Sequence, residues 1–349
     1  GWRSLSRNAA RHFTAAGAAI FAPALAIAIE VVWQPANAIG TYAWALHAMA
    51  IAALMVGMAE RFARADGPDD RLRVSLAALS ALSSVAFGLI LLFSSAALTT
   101  ALAVTIVAAA WLDRHFNLPL MGLYILAGIS TVGYRLIIDP GLDWATDAPW
   151  AEMLLSHGGA VLAFAVSWWL AHSAHRPRTE VLLESAVFSS AGILLSLVLF
   201  RTIQEWGGWS ATESHWSFGL GATVWIVLGL AQVRRLAIGG ALRILRLVLA
   251  WVFLLIGAAQ LALAALLFNP LFDNFRSDVI GPPLLNTLVP AYLLPALVLA
   301  LGARWLKDAR PALRIGLNAV AVALATLWLG LTIRHFWRGA EGMGLPGIE

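Results

Sequence analysis

Cysteine is absent from the 349 residues. That excludes disulfides and every thiolate-based metal or redox site within this stretch. Charge is scarce as well: Asp, Glu, Lys and Arg make up 12% of the chain, about half of what soluble domains carry. Lysine is nearly missing, since Lys307 is the single one among 23 basic residues. Several chemical signatures are also lacking. The chain has no phosphate-cradling Gly loop, no HExxH metal pattern and no GxSxG nucleophile elbow. No basic stretch interleaved with aromatics points to nucleic acid. No cofactor and no metal is expected.

What remains is 60% apolar, with a mean hydropathy of +0.80. Lipid as solvent is the common physical cause of such an excess, because about 20 apolar residues in a helix cross about 30 Å of hydrocarbon. Apolar runs fall near 13–33, 38–59, 74–93, 96–112, 118–138, 150–172, 180–202, 214–233, 242–268, 284–303 and 311–335. The expected fold is all-α, a polytopic membrane protein of about eleven transmembrane helices. The third and fourth are joined by a tight turn at "SSAA".

Arginine placement tests that count, because short cytoplasmic loops collect basic residues. With the N-terminal end in the cytoplasm, the inner connections receive 18 basic residues, from Arg3, Arg7 and Arg11 to Arg314. The outer side keeps five: Arg135, Arg201, Arg276, Arg334 and Arg338. Many of the 16 Trp residues gather in the outer connections, as in "DPGLDWATDAPW" and "EWGGWSATESHW". Interfacial belts favour such amphipathic rings.

An internal repeat is also visible. "LIIDPGLDW" at 136 and "LLFNPLFDN" at 266 each end an apolar run with a polar residue, a Pro and, three residues on, an Asp (Asp143 and Asp273). "LLSHGGAV" and "LLNTLVPA" set His157 over Asn286, and "ALHAMAIA" sets His47 in a weaker upstream copy. The inferred unit is four helices in tandem. An even number of spans gives every copy the same orientation, so the repeats are parallel. The divisions expected are a partial first repeat at 1–95, a second at 96–205 and a third at 206–349, in one continuous membrane domain.

Ionisable and polar residues within apolar runs are the candidate functional positions. Glu30, Arg135, Arg201 and Glu205 form a candidate outer-face cluster. Carboxylates with neighbouring Trp are what a sugar or polyprenyl-phosphate site uses, for proton transfer and ring stacking. An aromatic belt with solvated loops contains the same residue types. His47, His157, Glu184, Gln260 and Asn286 are the candidate intramembrane polar positions. Because Asn stands where His does, the recurring position fits an interhelical hydrogen bond better than a proton relay. Glu184 near a helix N-terminus suits the helix dipole, Gln260 reads as an interhelical hydrogen-bonding group, and Pro23, Pro290 and Pro295 read as kinks.

The runs "VRRLAIGGALRILRLVLAWVFLL", "PLLNTLVPAYLLPALVLALGARW" and "LTIRHFWRG" resemble the large bacterial predicted membrane proteins of domain-of-unknown-function family 2339. The resemblance is strongest from about residue 110 onward. It implies bacterial inner-membrane placement and a longer parent chain. A start without Met and a loop-like end "GMGLPGIE" carry the same expectation. It implies no activity. The leading expectation is therefore a non-enzymatic scaffold or transport-like element, with membrane lipids and membrane proteins as partners. An outer-face enzyme on a lipid-linked substrate and a proton-coupled transporter are the alternatives.

Overall fold

A computed structural model describes residues 11–172, 176–238, 240–272, 278–307, 309–340 and 343–344. Arg3, Arg7, Asp273 and Arg276, which enter the charge count and the repeat, lie outside these residues. The described residues are helical almost throughout and contain no strand. They fall into two compact units, 1–191 and 192–349, divided within one long helix.

The first unit contains α1 (Arg11–Trp33), α2 (Pro35–Ile39), α3 (Thr41–Asp66), α4 (Leu72–Leu92), α5 (Ser95–Phe116), α6 (Met121–Ile137), α7 (Gly141–Asp147), α8 (Trp150–Met153) and α9 (Gly159–His172). A π-helical turn, Leu154–Gly158, joins α8 to α9. The "SSAA" turn is as tight as the sequence suggests, for α4 ends at Leu92 and α5 begins at Ser95. α10 (Pro177–Thr212) then runs into the second unit, which adds α11 (His215–Ile238), α12 (Arg243–Ala262), α13 (Leu294–Trp305) and α14 (Pro311–Arg338). π-helical turns extend α12 through Leu263–Leu267 and precede α13 at Val289–Leu293.

Every one of the eleven expected spans is a helix, but not all are straight and full length. Among the described residues nine helices are long and apolar enough to cross a bilayer. A tenth crossing arises if α6 and α7, bent by 54° at their junction, count as one broken span. The eleventh expected span is the shorter helix Val289–Trp305. The correction has a local cause: proline at 140, 290 and 295 removes amide donors where a continuous helix needs them.

Packing within each unit follows membrane rather than aqueous rules. The buried face of α3 includes Ala45, Ala48 and Ala52 beside Trp44 and Phe62, and that of α4 includes Ala77, Ala78 and Ala81. Small side chains let helix backbones approach closely where lipid gives no hydrophobic drive. Gly219 on α11 is the extreme case, since a Cβ there would lie 2.4 Å from Ala291 Cα.

Irregular turns find internal partners, as backbone in hydrocarbon must. Thr100 Oγ1 donates to the Leu155 carbonyl within the first π turn (2.6 Å), and Tyr292 Oη donates to Ala264 in the second (2.7 Å). Tyr124 Oη donates to Thr105 Oγ1 at 2.9 Å inside the first unit.

The Arg-rich end of the first unit is closed by ion pairs. Arg73, with no exposed surface, binds Asp66 through Nε (2.6 Å) and Nη2, and lies over the Phe62 ring at 4.8 Å. Arg11 reaches Asp70 at 2.8 Å. Arg176 grips both oxygens of Asp113, at 2.7 and 2.8 Å, and Asn117 at 2.9 Å.

Candidate functional site: a polar-lined cavity in the second unit

The expected outer-face cluster divides between the two units, with Glu30 and Arg135 in the first and Arg201 and Glu205 in the second. Glu30 Oε2 accepts the Ala36 amide at 3.2 Å, holding the short α2 in place. Arg135 donates from Nε to Thr99 Oγ1 and from Nη2 to the Ser95 carbonyl, both at 3.1 Å. Among the described residues no ion pair joins Glu30 to Arg135. Arg201 is buried in α10, and Glu205, one turn on, is exposed.

The three residues expected to share a repeat position, His47, His157 and Asn286, meet three different environments. His47 is exposed and stacks on Trp44, ring centroids 4.9 Å apart. His157 is buried within the π turn, its Nε2 3.3 Å from the Leu136 carbonyl. Asn286 accepts the Leu288 amide (3.0 Å) and donates to the Pro283 carbonyl (2.9 Å), so it caps the turn that leads into Val289–Leu293. Glu184 is buried on α10 in the first unit.

Gln260 differs from these. Its side chain lies against Gly221 of α11, where a Cβ would come within 2.4 Å of Oε1. Oε1 is buried and has no hydrogen-bond partner among the described residues. Gln260 lines a cavity of about 370 Å³ with Ser196 and Phe200 of α10, Thr212, Glu213 and Ser217. Ser196 Oγ is likewise buried and without a hydrogen-bond partner. A second cavity of about 490 Å³ shares Leu199 and Ile203 with the first, and Trp206, Ser210, Trp216 and Asp278 also line it.

The chain folds locally so as to make this space. α10 kinks at Gly208, whose φ of 72° lies in the left-handed region that glycine tolerates. The kink sits beyond the membrane-length part of α10 and turns Trp209 and Thr212 back over the cavity. Asp278 and Ile280 line the second cavity, and the segment 278–288 that carries them is tethered to α11 and to α14. His215 Nε2 lies 3.0 Å from Thr287 Oγ1, which itself accepts the Ile280 amide at 3.2 Å. His335 Nε2 lies 3.2 Å from the Gly281 carbonyl.

At 1.5 Å per residue, Gly221 is about 9 Å along α11 from His215, and Ser196 about 18 Å along α10 from Gly208. The cavities therefore reach from the Trp-rich end toward the middle of these helices. The exposed carboxylate of Glu213 stands at the rim, and an amide and a hydroxyl lie deeper. Such a set offers hydrogen-bonding groups along an otherwise largely apolar lining. Among the described residues no group of three or more His, Asp or Glu converges to hold a metal ion.

Glu213 lies in the quoted outer connection "EWGGWSATESHW", and Gln260 was visible in the sequence as a polar residue within an apolar run. Ser196 was not, because a serine within an apolar run is most simply bonded to its own helix. The available signal was Gly221, whose missing side chain is what admits Gln260.

Helical layers of membrane length, small-residue contacts and internally satisfied π turns define the class: a multi-pass α-helical membrane protein. The family model for the predicted membrane proteins of domain of unknown function 2339 matches residues 4–344. The chain belongs to that family. No curated protein and no solved structure shows significant similarity to it.

Proposed function

We propose that the chain is a non-enzymatic, transport-like membrane element that admits a small neutral polar ligand to the second-unit cavity from the Trp-rich end. It would sit in the bacterial inner membrane with its Arg-rich ends in the cytoplasm, as the alternation of arginine suggests. One observation carries the reading: Ser196 Oγ and Gln260 Oε1 are buried without hydrogen-bond partners among the described residues and line the same cavity. Unsatisfied polar groups cost several kcal/mol in hydrocarbon, so two of them facing one space favour a hydrogen-bonding occupant.

The enzymatic alternative would require Glu30, Arg135, Arg201 and Glu205 to meet at one reacting bond. The structural tasks of Glu30 and Arg135 support the binding reading over it. The proton-coupled alternative would rest on His157 and Glu184, and the carbonyl contact of His157 fits a structural bond.

The absence of native cysteine in this chain makes a clean test available. Single Ser217→Cys and Gln260→Cys variants are treated with a charged, membrane-impermeant methanethiosulfonate. A Leu255→Cys variant, on the exposed apolar face of α12, serves as the lipid-facing control. Both cavity positions should react, at least about tenfold faster than the control, and only from the side that carries Trp209. Gln260→Cys reacting no faster than Leu255→Cys would end the proposal.

A further inference from the structure

At the Arg-rich end of the second unit, arginines reach backbone carbonyls and an aromatic ring. Arg246 Nη1 reaches the Arg235 carbonyl at 3.4 Å, and Arg314 Nε donates to the Ala303 carbonyl at 3.2 Å. Arg234 lies over the Trp305 ring at 4.2 Å. These contacts tie the ends of α11 and α13 to the starts of α12 and α14. Around them Arg243, Arg304, Lys307 and Arg310 are exposed. None of these four makes a side-chain hydrogen bond or ion pair with any described residue. Asp308 is the single acid that the sequence places in the two connections at this end.

Apolar surface adjoins the cations on the same helices. Ile244 and Leu247 on α12, and Leu301 and Trp305 on α13, are all more than 40% exposed. A guanidinium beside an exposed Trp and Leu face marks the depth at which acyl chains give way to headgroups.

We propose that this end of the second unit binds anionic glycerophospholipids, with their phosphates on Arg243, Arg304, Lys307 and Arg310 and their acyl chains against Leu301 and Trp305. A free soluble anion would gain the charge but not the apolar contact. A protein partner with an acidic segment would gain the charge without needing a bilayer. Near an anionic leaflet each basic residue contributes about 1 kcal/mol, which is about fivefold in affinity.

The test uses the full chain, purified in a neutral detergent. Phosphatidylglycerol and phosphatidylcholine are titrated in turn, bound lipid is counted by native mass spectrometry, and Tm is followed in parallel. Phosphatidylglycerol should bind at least about tenfold more tightly and raise Tm further, and 1 M salt, where the Debye length is about 3 Å, should erase the difference. Lys307→Gln with Arg310→Gln should lose most of the preference, up to about twenty-five-fold at about fivefold per charge, while matching the parent Tm in phosphatidylcholine.

Equal binding of the two lipids by the parent chain would overturn the proposal, and so would a double variant that keeps the full preference. If the double variant fails to insert, the salt titration of the parent chain decides alone. Inorganic phosphate or soluble poly-glutamate displacing phosphatidylglycerol at equal charge concentration would assign the surface to a free anion or an acidic protein, and would also overturn it.

Discussion

Arg73 and Arg310 show how differently the two units use the same kind of residue. Arg73 is fully buried against Asp66 and Phe62. Arg310 is exposed and has no side-chain partner among the described residues. The contrast extends to each whole end. The described part of the first unit carries eight arginines at its Arg-rich end, faced by Glu60, Asp66, Asp69, Asp70, Asp113 and Glu180. The second carries eight basic residues and, in sequence, only Asp308. Arg73 in the first unit is therefore a packing element, fixed by partners that remove it from solvent, while Arg61, Arg64, Arg114 and Arg178 stay exposed. In the second unit arginine forms a charged surface, joined by carbonyl and aromatic contacts. Equal basic charge thus has two outcomes, decided by whether carboxylates stand opposite.

The comparison makes its sharpest claim at Arg73. Replacing Arg73 with Gln strands Asp66 in a buried site, and breaking such a pair costs about 3–5 kcal/mol. Thermal unfolding in a fixed detergent should show a large loss, whereas Arg310→Gln should stay within about 0.5 kcal/mol of the parent. Restoring partial balance with Asp66→Asn and Arg73→Gln together should recover part of that loss. If Arg73→Gln and Arg310→Gln prove equally mild, the contrast between the ends is broken.

A smaller effect is expected at the second unit's closest helix contact. Gly219→Ala places a Cβ against the Ala291 backbone, and overpacking of this kind costs about 1–3 kcal/mol. Gly316→Ala on α14, with nothing within 4 Å of the new atom, should leave Tm unchanged or slightly higher. The pair of measurements checks that the second unit is rigid where its helices touch, even though its Arg-rich end is open.

The smallest effect should be shared by the units. Tyr124→Phe and Tyr292→Phe each remove one interior hydroxyl bond, and interhelical bonds in membranes are worth about 0.6–2 kcal/mol. Similar losses from both would show that the units differ in charge handling rather than in how they satisfy interior polar groups. A loss confined to one would shift the comparison to the cores.

Much of the fold was legible because it depends on each segment's own composition. The "SSAA" boundary of α4 and α5 could be read from two apolar runs meeting with almost no spacer. The break between α6 and α7 and the shortness of Val289–Trp305 were harder to read, since hydropathy remains high across Pro140 and Pro290 while hydrogen bonding does not. The site was legible only in pieces. Gln260 stood out as polar, but its role depends on Gly221, nearly forty residues away. His47, His157 and Asn286 look interchangeable in their sequence contexts, yet one stacks in the open, one meets a carbonyl and one caps a turn.

By itself the sequence determined that this chain lies in a membrane, where its helices run and which ends hold arginine. Those properties express the transfer energy of each stretch between water and lipid, which neighbours in space alter little. Only the tertiary structure decided that Arg73 is consumed by Asp66 and that Ser196 and Gln260 open into one cavity. Hydrogen bonds and ion pairs act over about 3 Å, so their existence turns on which helix faces meet, and a linear pattern does not record that.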